Sequence, residues 1–188
     1  MRRATALAAA IVFAGITCVR GAAAVPAQSP RTSQTASKLT PQERIAQRDI
    51  QAAIDQQIEE LAAKDMDAAT RLMPKDFSIR LVDGTTLNRD QAIAGMRQEK
   101  ASVLRVDIDR TYTHIECLHL AGKEAIVYTK QQYVRTVPDP KNGSPHEIVT
   151  GVRHREIWTY TEDGWVTKRI EELEQGQTYL DDQPYDRR

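Results

Sequence analysis

His154, Glu156 and Trp158 stand at alternate positions and carry the densest potential for chemistry in the chain. In extended backbone, side chains two apart share a face. An imidazole, a carboxyl and an indole N–H would then meet one environment. The even positions of 148–161 include Ile148, Val152, His154, Glu156, Trp158 and Tyr160, a mixture of apolar and aromatic groups with one His and one Glu. The odd positions include Arg153 and Arg155. An apolar wall bearing a few convergent polar groups is what a ligand cavity requires. There His154 could act as a general base oriented by a carboxyl, and burial could raise the Glu156 pKa until it serves as an acid. The same residues could instead form an ion-paired sheet edge around a core tryptophan. Tyr112, His114 and Glu116 share a parity on an earlier alternating run, which adds Tyr112 and His114 to the pocket candidates, subject to any bulge that reverses the parity.

Other clusters offer less. His114 and His119, five apart on one strand, fall on opposite faces and do not make a metal pair. Glu171 and Glu172 also diverge, and with Glu174 they read as a charged strand end. Cys117 is expected as a lone buried thiol. No Gly-x-Ser-x-Gly, phosphate-loop or dinucleotide fingerprint is present, so no cofactor or metal is expected.

The elements that must position these residues are legible in the periodicity. Thr40, Pro41 and Glu43 form the start of a helix with a capping box. Ile45, Ile50, Ile54, Ile58 and Leu61 then recur at helical spacing as far as Lys64, with Gln57 off the stripe. A short helix is expected over Met66–Leu72 and a third from Asn88 to Ser102. Phe77–Val82 and Thr85–Leu87 read as strands. Beyond Val103 the period becomes two, giving strands over Leu104–Leu120, Ala125–Val137, Ile148–Thr161 and Trp165–Leu173. The tail, 175–188, reads as polar and loosely attached. Helices followed by an antiparallel meander make an α+β class.

The N-terminus carries an address. Arg2 and Arg3 precede an apolar run from Ala4 to Val19, followed by Ala22-Ala23-Ala24, the layout of a secretory signal peptide with cleavage expected after Ala24 and Ala27 as a second site. Residues 25–39 read as a flexible linker and 40–174 as the folded domain. The mature chain is expected to be exported, periplasmic or secreted, and free of the membrane. Cleavage removes Cys18 and lowers the 26 Lys and Arg by Arg2, Arg3 and Arg20 to 23, against 26 acidic side chains, a net charge of −3. No basic excess remains for nucleic acid.

The long opening helix, the short one ending at Met73-Pro74-Lys75-Asp76-Phe77, the pair Asp83-Gly84 and Asn88-Arg89-Asp90, and the closing Arg155-Glu156-Ile157-Trp158 with Asp163-Gly164-Trp165 together resemble the nuclear transport factor 2-like superfamily. The resemblance includes its SnoaL-like branch and the calcium/calmodulin-dependent kinase association domain, and covers about residues 42–173. The resemblance implies a cone: a curved antiparallel sheet wrapped around the long N-terminal helix, with two further short helices. It also implies a pocket at the wide end and a homodimer through the outer sheet face. It places Val127, Thr129, Gln131 and Tyr133 inward, and Glu156 and Trp158 on the cavity side. Glu156 stands where the association domains carry an Arg, which argues against their carboxylate-binding pocket. The opening helix has no Tyr and the assigned inward positions no Asp, unlike the steroid isomerases. The function expected is binding of a small hydrophobic ligand, or of a partner, without turnover. The alternative is an isomerase, dehydratase or cyclase that moves protons on a hydrophobic carbonyl compound through His154 and Glu156.

Overall fold

In the computed structural model, residues 39–174 and 176–185 are described. The expected signal peptide and nearly all of the expected linker lie outside them. Thr40 accepts from the Glu43 amide and Glu43 reaches back to the Thr40 amide, so helix α1 (Pro41–Ala62) begins at the expected capping box. It ends in a closure in which the Lys64 and Asp65 amides donate to the Leu61 and Glu60 carbonyls. Lys64 occupies the left-handed position of that closure, at φ 65°. Glycine normally serves there, and a side chain costs about 1–2 kcal/mol.

Helix α2 is shorter than expected, Met66–Ala69. The Thr70 hydroxyl bonds the Met66 carbonyl, and tight turns at Arg71 and Met73 replace further helical bonds. Strands β1 (Ser78–Arg80) and β2 (Thr86–Asn88) form a hairpin that leads into α3 (Arg89–Ser102), capped by Asn88. The run expected as one strand from Leu104 divides into β3 (Arg105–Val106) and β4 (Tyr112–Ala121). Leu104 and Ile108 are exposed on either side of β3, so their alternation marks no core face. Strands β5 (Glu124–Pro138), β6 (Pro145–Thr161) and β7 (Gly164–Glu172) form the antiparallel centre. β1 joins β7 in parallel, which makes the sheet mixed.

The tail was expected to be loosely attached, but residues 177–184 of it form a hairpin on the sheet. β8 (Gln177–Leu180) pairs with β6 over Ile148–Gly151, and β9 (Gln183–Pro184) returns upon it. Asp181 and Asp182 both have positive φ in the two-residue turn between them, as a primed hairpin turn requires.

The core is in two parts. Ile50 and Ile54 of α1 pack with Leu72, Ile115, Leu118, Val127 and Trp158. Phe77, Ile79, Leu87, Ile93, Met96, Tyr133 and Ile170 form the second cluster. Ile45, counted in the α1 stripe, is 53% exposed: it lies beside Ala46, which takes the inward place in that turn. Gln57 is half-buried, its amide donating to the Ala69 carbonyl at 2.7 Å, so it ties α1 to α2 rather than facing solvent freely. Among the described residues no helix is long and apolar enough to cross a membrane.

Candidate functional site

On β5 the inward side chains are Ala125, Val127, Thr129, Gln131, Tyr133 and Arg135, and on β6 they are Thr150, Val152, His154, Glu156 and Trp158. Val127 and Tyr133 belong to different core clusters. Thr129 and Gln131, lying between them, interrupt the apolar interior with a polar band. Register extends the band sideways. Thr113 pairs with Gln131, and Thr129 pairs with His154, which in turn pairs with Glu172 on β7.

The carboxyl of Glu156 is held at both oxygens. Thr129 Oγ1 donates to Oε1 at 2.8 Å and Trp158 Nε1 donates to Oε2 at 2.7 Å. Burial raises its pKa, opposed by these two bonds. His154 is buried. Desolvation lowers its pKa to about 4, which leaves it neutral at pH 7. Glu172, partly buried, is also raised by desolvation while it accepts from the Val82 amide. Gln131 Nε2 donates to Thr113 Oγ1 at 2.9 Å, and Gln131 Oε1 is buried without a partner. Whichever way that amide is turned, one of its two polar atoms stays unpaired.

The expected pocket set divides three ways. His154, Glu156 and Trp158 share the interior as parity predicts, with Thr129 completing the group. Tyr133 is also inward, but it lines a different place, a narrow cleft between the end of α1 and α3. Burial raises its phenol well above the usual range. Tyr112 and His114 are corrections: both are exposed on the outer face, while Thr113 and Ile115 point inward. The β-bulge between Ile115 and Cys117 then switches the parity, so Leu118 is inward and His119 exposed. His114 and His119 therefore share the outer face, contrary to the simple count. Cys117, half-buried rather than buried, has its Sγ 3.4 Å from His119 Nε2. No group of three or more metal-ligating side chains occurs among the described residues.

Two interior features were missed. Thr113 is hidden by the reversed parity before the bulge. Arg135 could have been found, since it continues the Gln131, Tyr133 alternation. Its guanidinium pairs with Glu99 of α3 at 3.0 Å, donates to Thr150, and lies 5.0 Å over the Tyr133 ring. The bland reading of charged sheet positions does hold outside: Arg155 pairs with Glu171, and Arg153 with Glu116.

No protein-family model and no curated protein matches the chain. Solved structures do. A provisionally assigned scytalone dehydratase from Novosphingobium aromaticivorans superposes with a TM-score of 0.58 at 14% identity, over 77% of this chain and 91% of that one. A dehydratase of the nuclear transport factor 2-like family from Streptomyces avermitilis, also provisionally assigned, gives 0.54 at 13% identity, over 70% and 99%. A nuclear transport factor 2-like superfamily protein from Salmonella enterica serovar Typhimurium gives 0.51 at 12%, over 69% and 90%. Identities this low speak to the fold, and the chain has the nuclear transport factor 2-like fold.

Proposed function

We propose that this domain is an exported binding protein that holds a small, largely apolar molecule against the inward sheet face and releases it unchanged. The observation that carries this reading is the buried Gln131 Oε1, which has no partner, on the same inward face as the buried neutral imidazole of His154 and set between two apolar clusters. An unsatisfied buried polar group costs about 1–3 kcal/mol. Native folds keep few of them, and each asks for a reason. A donor group on an otherwise apolar molecule would satisfy Gln131 Oε1. In this reading the curved sheet is a cone closed by α1, and the outer face, with Tyr112 exposed upon it, pairs two copies.

The test is native mass spectrometry of the protein purified without additions, before and after denaturation. A bound molecule of unchanged mass is expected. Gln131→Leu and His154→Phe should lose it while staying folded, and Arg155→Gln, on the outer face, should keep it. Retention by both inward variants would sink the reading.

A second reading is proton transfer on a small hydrophobic carbonyl compound, by an isomerase, dehydratase or cyclase. What favours it is a carboxyl pushed toward its acid form two positions from a neutral imidazole. Two of the structurally similar proteins are provisionally assigned dehydratases. Slow conversion of the retained molecule, abolished in Glu156→Gln, would select this reading over simple binding.

A further inference from the structure

His154 stands between two carboxyls that are held differently. Glu156, two residues along β6, accepts at both oxygens from buried donors, Thr129 and Trp158. Glu172 lies directly opposite His154 in the β6–β7 register. Opposed residues of an antiparallel pair project from one face, with Cβ atoms about 4.5–5.5 Å apart. Ile170, two residues earlier on β7, is buried, and Glu171 turns outward to Arg155. Glu172 therefore belongs to the inward face and not to a charged strand end, and its side chain is long enough to reach the imidazole.

Glu172 is also the member of the trio that meets the rim. His154 and Glu156 are buried, whereas Glu172 is half-buried. Its Oε2 accepts at 3.2 Å from the amide of Val82, an exposed residue just after β1. Burial alone lowers the His154 pKa. Burial raises that of Glu172, against the Val82 bond, with Asp83 of the β1–β2 turn adding to the rise. Glu156 is the other acid of this face, while Arg153 and Arg155, on the outer face, engage Glu116 and Glu171. A carboxyl that keeps its proton more readily than usual thus faces a neutral imidazole with a lone pair to accept it.

We propose that Glu172 is the proton gate of the inward site, its carboxyl swinging between the Val82 amide at the rim and the His154 imidazole inside. Moving inward, the Glu172 O–H gives its proton to the unprotonated ring nitrogen, leaving a carboxylate beside an imidazolium. The carboxylate returns to the Val82 amide and takes a proton from solvent water. The imidazolium can release either ring proton by the reverse path. This rests on the inward band being the site, and it holds whether a molecule bound there is released or converted.

Exchange of the His154 ring N–H with water, followed by NMR on protein carrying nitrogen-labelled histidine, reads this traffic directly. Glu172→Gln keeps an oxygen for the Val82 amide but carries no proton, so it should slow the exchange at least tenfold while Tm stays level. A merely structural glutamate would move Tm and leave the rate alone. Glu172→Asp, one carbon shorter, should slow it too, and keeps the test available if glutamine disturbs the turn. Glu156→Gln, and Glu171→Gln on the outer face, should exchange at the wild-type rate. Wild-type rates in both Glu172 variants, or equal slowing in Glu156→Gln, would overturn the proposal. Native mass spectra of the same proteins keep the two readings apart. A chain that holds no molecule yet shows the exchange contrast sinks the binding reading and leaves the gate standing.

Discussion

At the residue scale, Glu156 and His154 are buried neighbours whose environments drive both toward neutrality, and each can be tested alone. If the Glu156 carboxyl is protonated at pH 7, Glu156→Gln changes little. The amide oxygen can accept from Trp158 Nε1, and the Thr129 hydroxyl can turn to accept from the amide. Stability within ~0.5 kcal/mol of wild type is expected in denaturant melts. Glu156→Leu leaves the Trp158 N–H and the Thr129 hydroxyl without their acceptor and should cost ~1–3 kcal/mol. Equal losses in the two variants would show an ionised carboxylate that the amide cannot replace. His154 makes a pH prediction. Its folded pKa, about 4, lies below the ordinary 6.5, so the unfolded chain binds the proton more readily. Stability from the neutral imidazole is therefore full above 6.5 and falls as pH drops toward 4, by roughly 3 kcal/mol. The raised Glu156 pKa acts in the opposite sense, but in a comparison of wild type with His154→Gln it is common to both. Wild type should lose about 3 kcal/mol more than the variant between pH 7 and pH 4. Parallel acid profiles would mean that the imidazole takes up its proton without unfolding.

At the element scale, α1 shows where a periodic reading succeeds and where it fails. Ile54 is buried and Ile45 is not, although both sit in the same apolar stripe. Ile54→Ala should cost ~2–5 kcal/mol, and Ile45→Ala within ~0.5 kcal/mol. Gln57→Ala, which loses the bond to the Ala69 carbonyl, should fall between them at ~1 kcal/mol. Similar losses for the two isoleucines would mean that α1 is turned on the sheet. The inward face of β5 and β6 was legible because alternation survives there without interruption, from Ala125 to Arg135 and from Thr150 to Trp158. The β4 face was not. A bulge adds one unpaired residue with no distinctive residue type to announce it, and at Glu116 it exchanged inside for outside. Tyr112 and His114 were misplaced for that reason, and Thr113 was overlooked. Leu104 and Ile108 misled differently, because alternation of apolar residues records a chance pattern as readily as a buried face.

At the scale of the whole molecule, the unexpected element is the C-terminal hairpin, which extends the sheet along the first half of β6 where β7 does not reach. Tyr179-Leu180 and the Asp181-Asp182 turn are set in a stretch whose overall polarity suggested loose attachment. The hairpin is tied down by charge. His146 at the start of β6 contacts Asp181 through Nδ1 at 2.5 Å and Asp139 of the preceding loop through Nε2 at 3.2 Å. Asp181 Oδ1 also accepts from the Glu147 amide. The hydrogen bond to Asp181 raises the His146 pKa above 6.5; burial opposes it, and the bond to Asp139 adds a smaller rise. The bond to His146 lowers Asp181, and backbone amides of the loop, chiefly that of Lys141, lower Asp139. A raised histidine stabilises fully below its unfolded pKa of 6.5, and that contribution fades as pH climbs through the folded value. The lowered aspartates stabilise above 3.8 and fail as pH falls through their folded values. The tie is therefore firmest between about 4 and 6.5. Hydrogen-exchange protection factors for the amides of β8 and β9, corrected for intrinsic rates, should drop between pH 6 and pH 9, while the β5–β6 centre holds. His146→Gln should lower protection at pH 6 to nearly the wild-type level at pH 9 and flatten the dependence. If the hairpin is equally protected at both pH values in wild type, backbone pairing with β6 alone secures it, and the histidine bridge adds nothing to its stability.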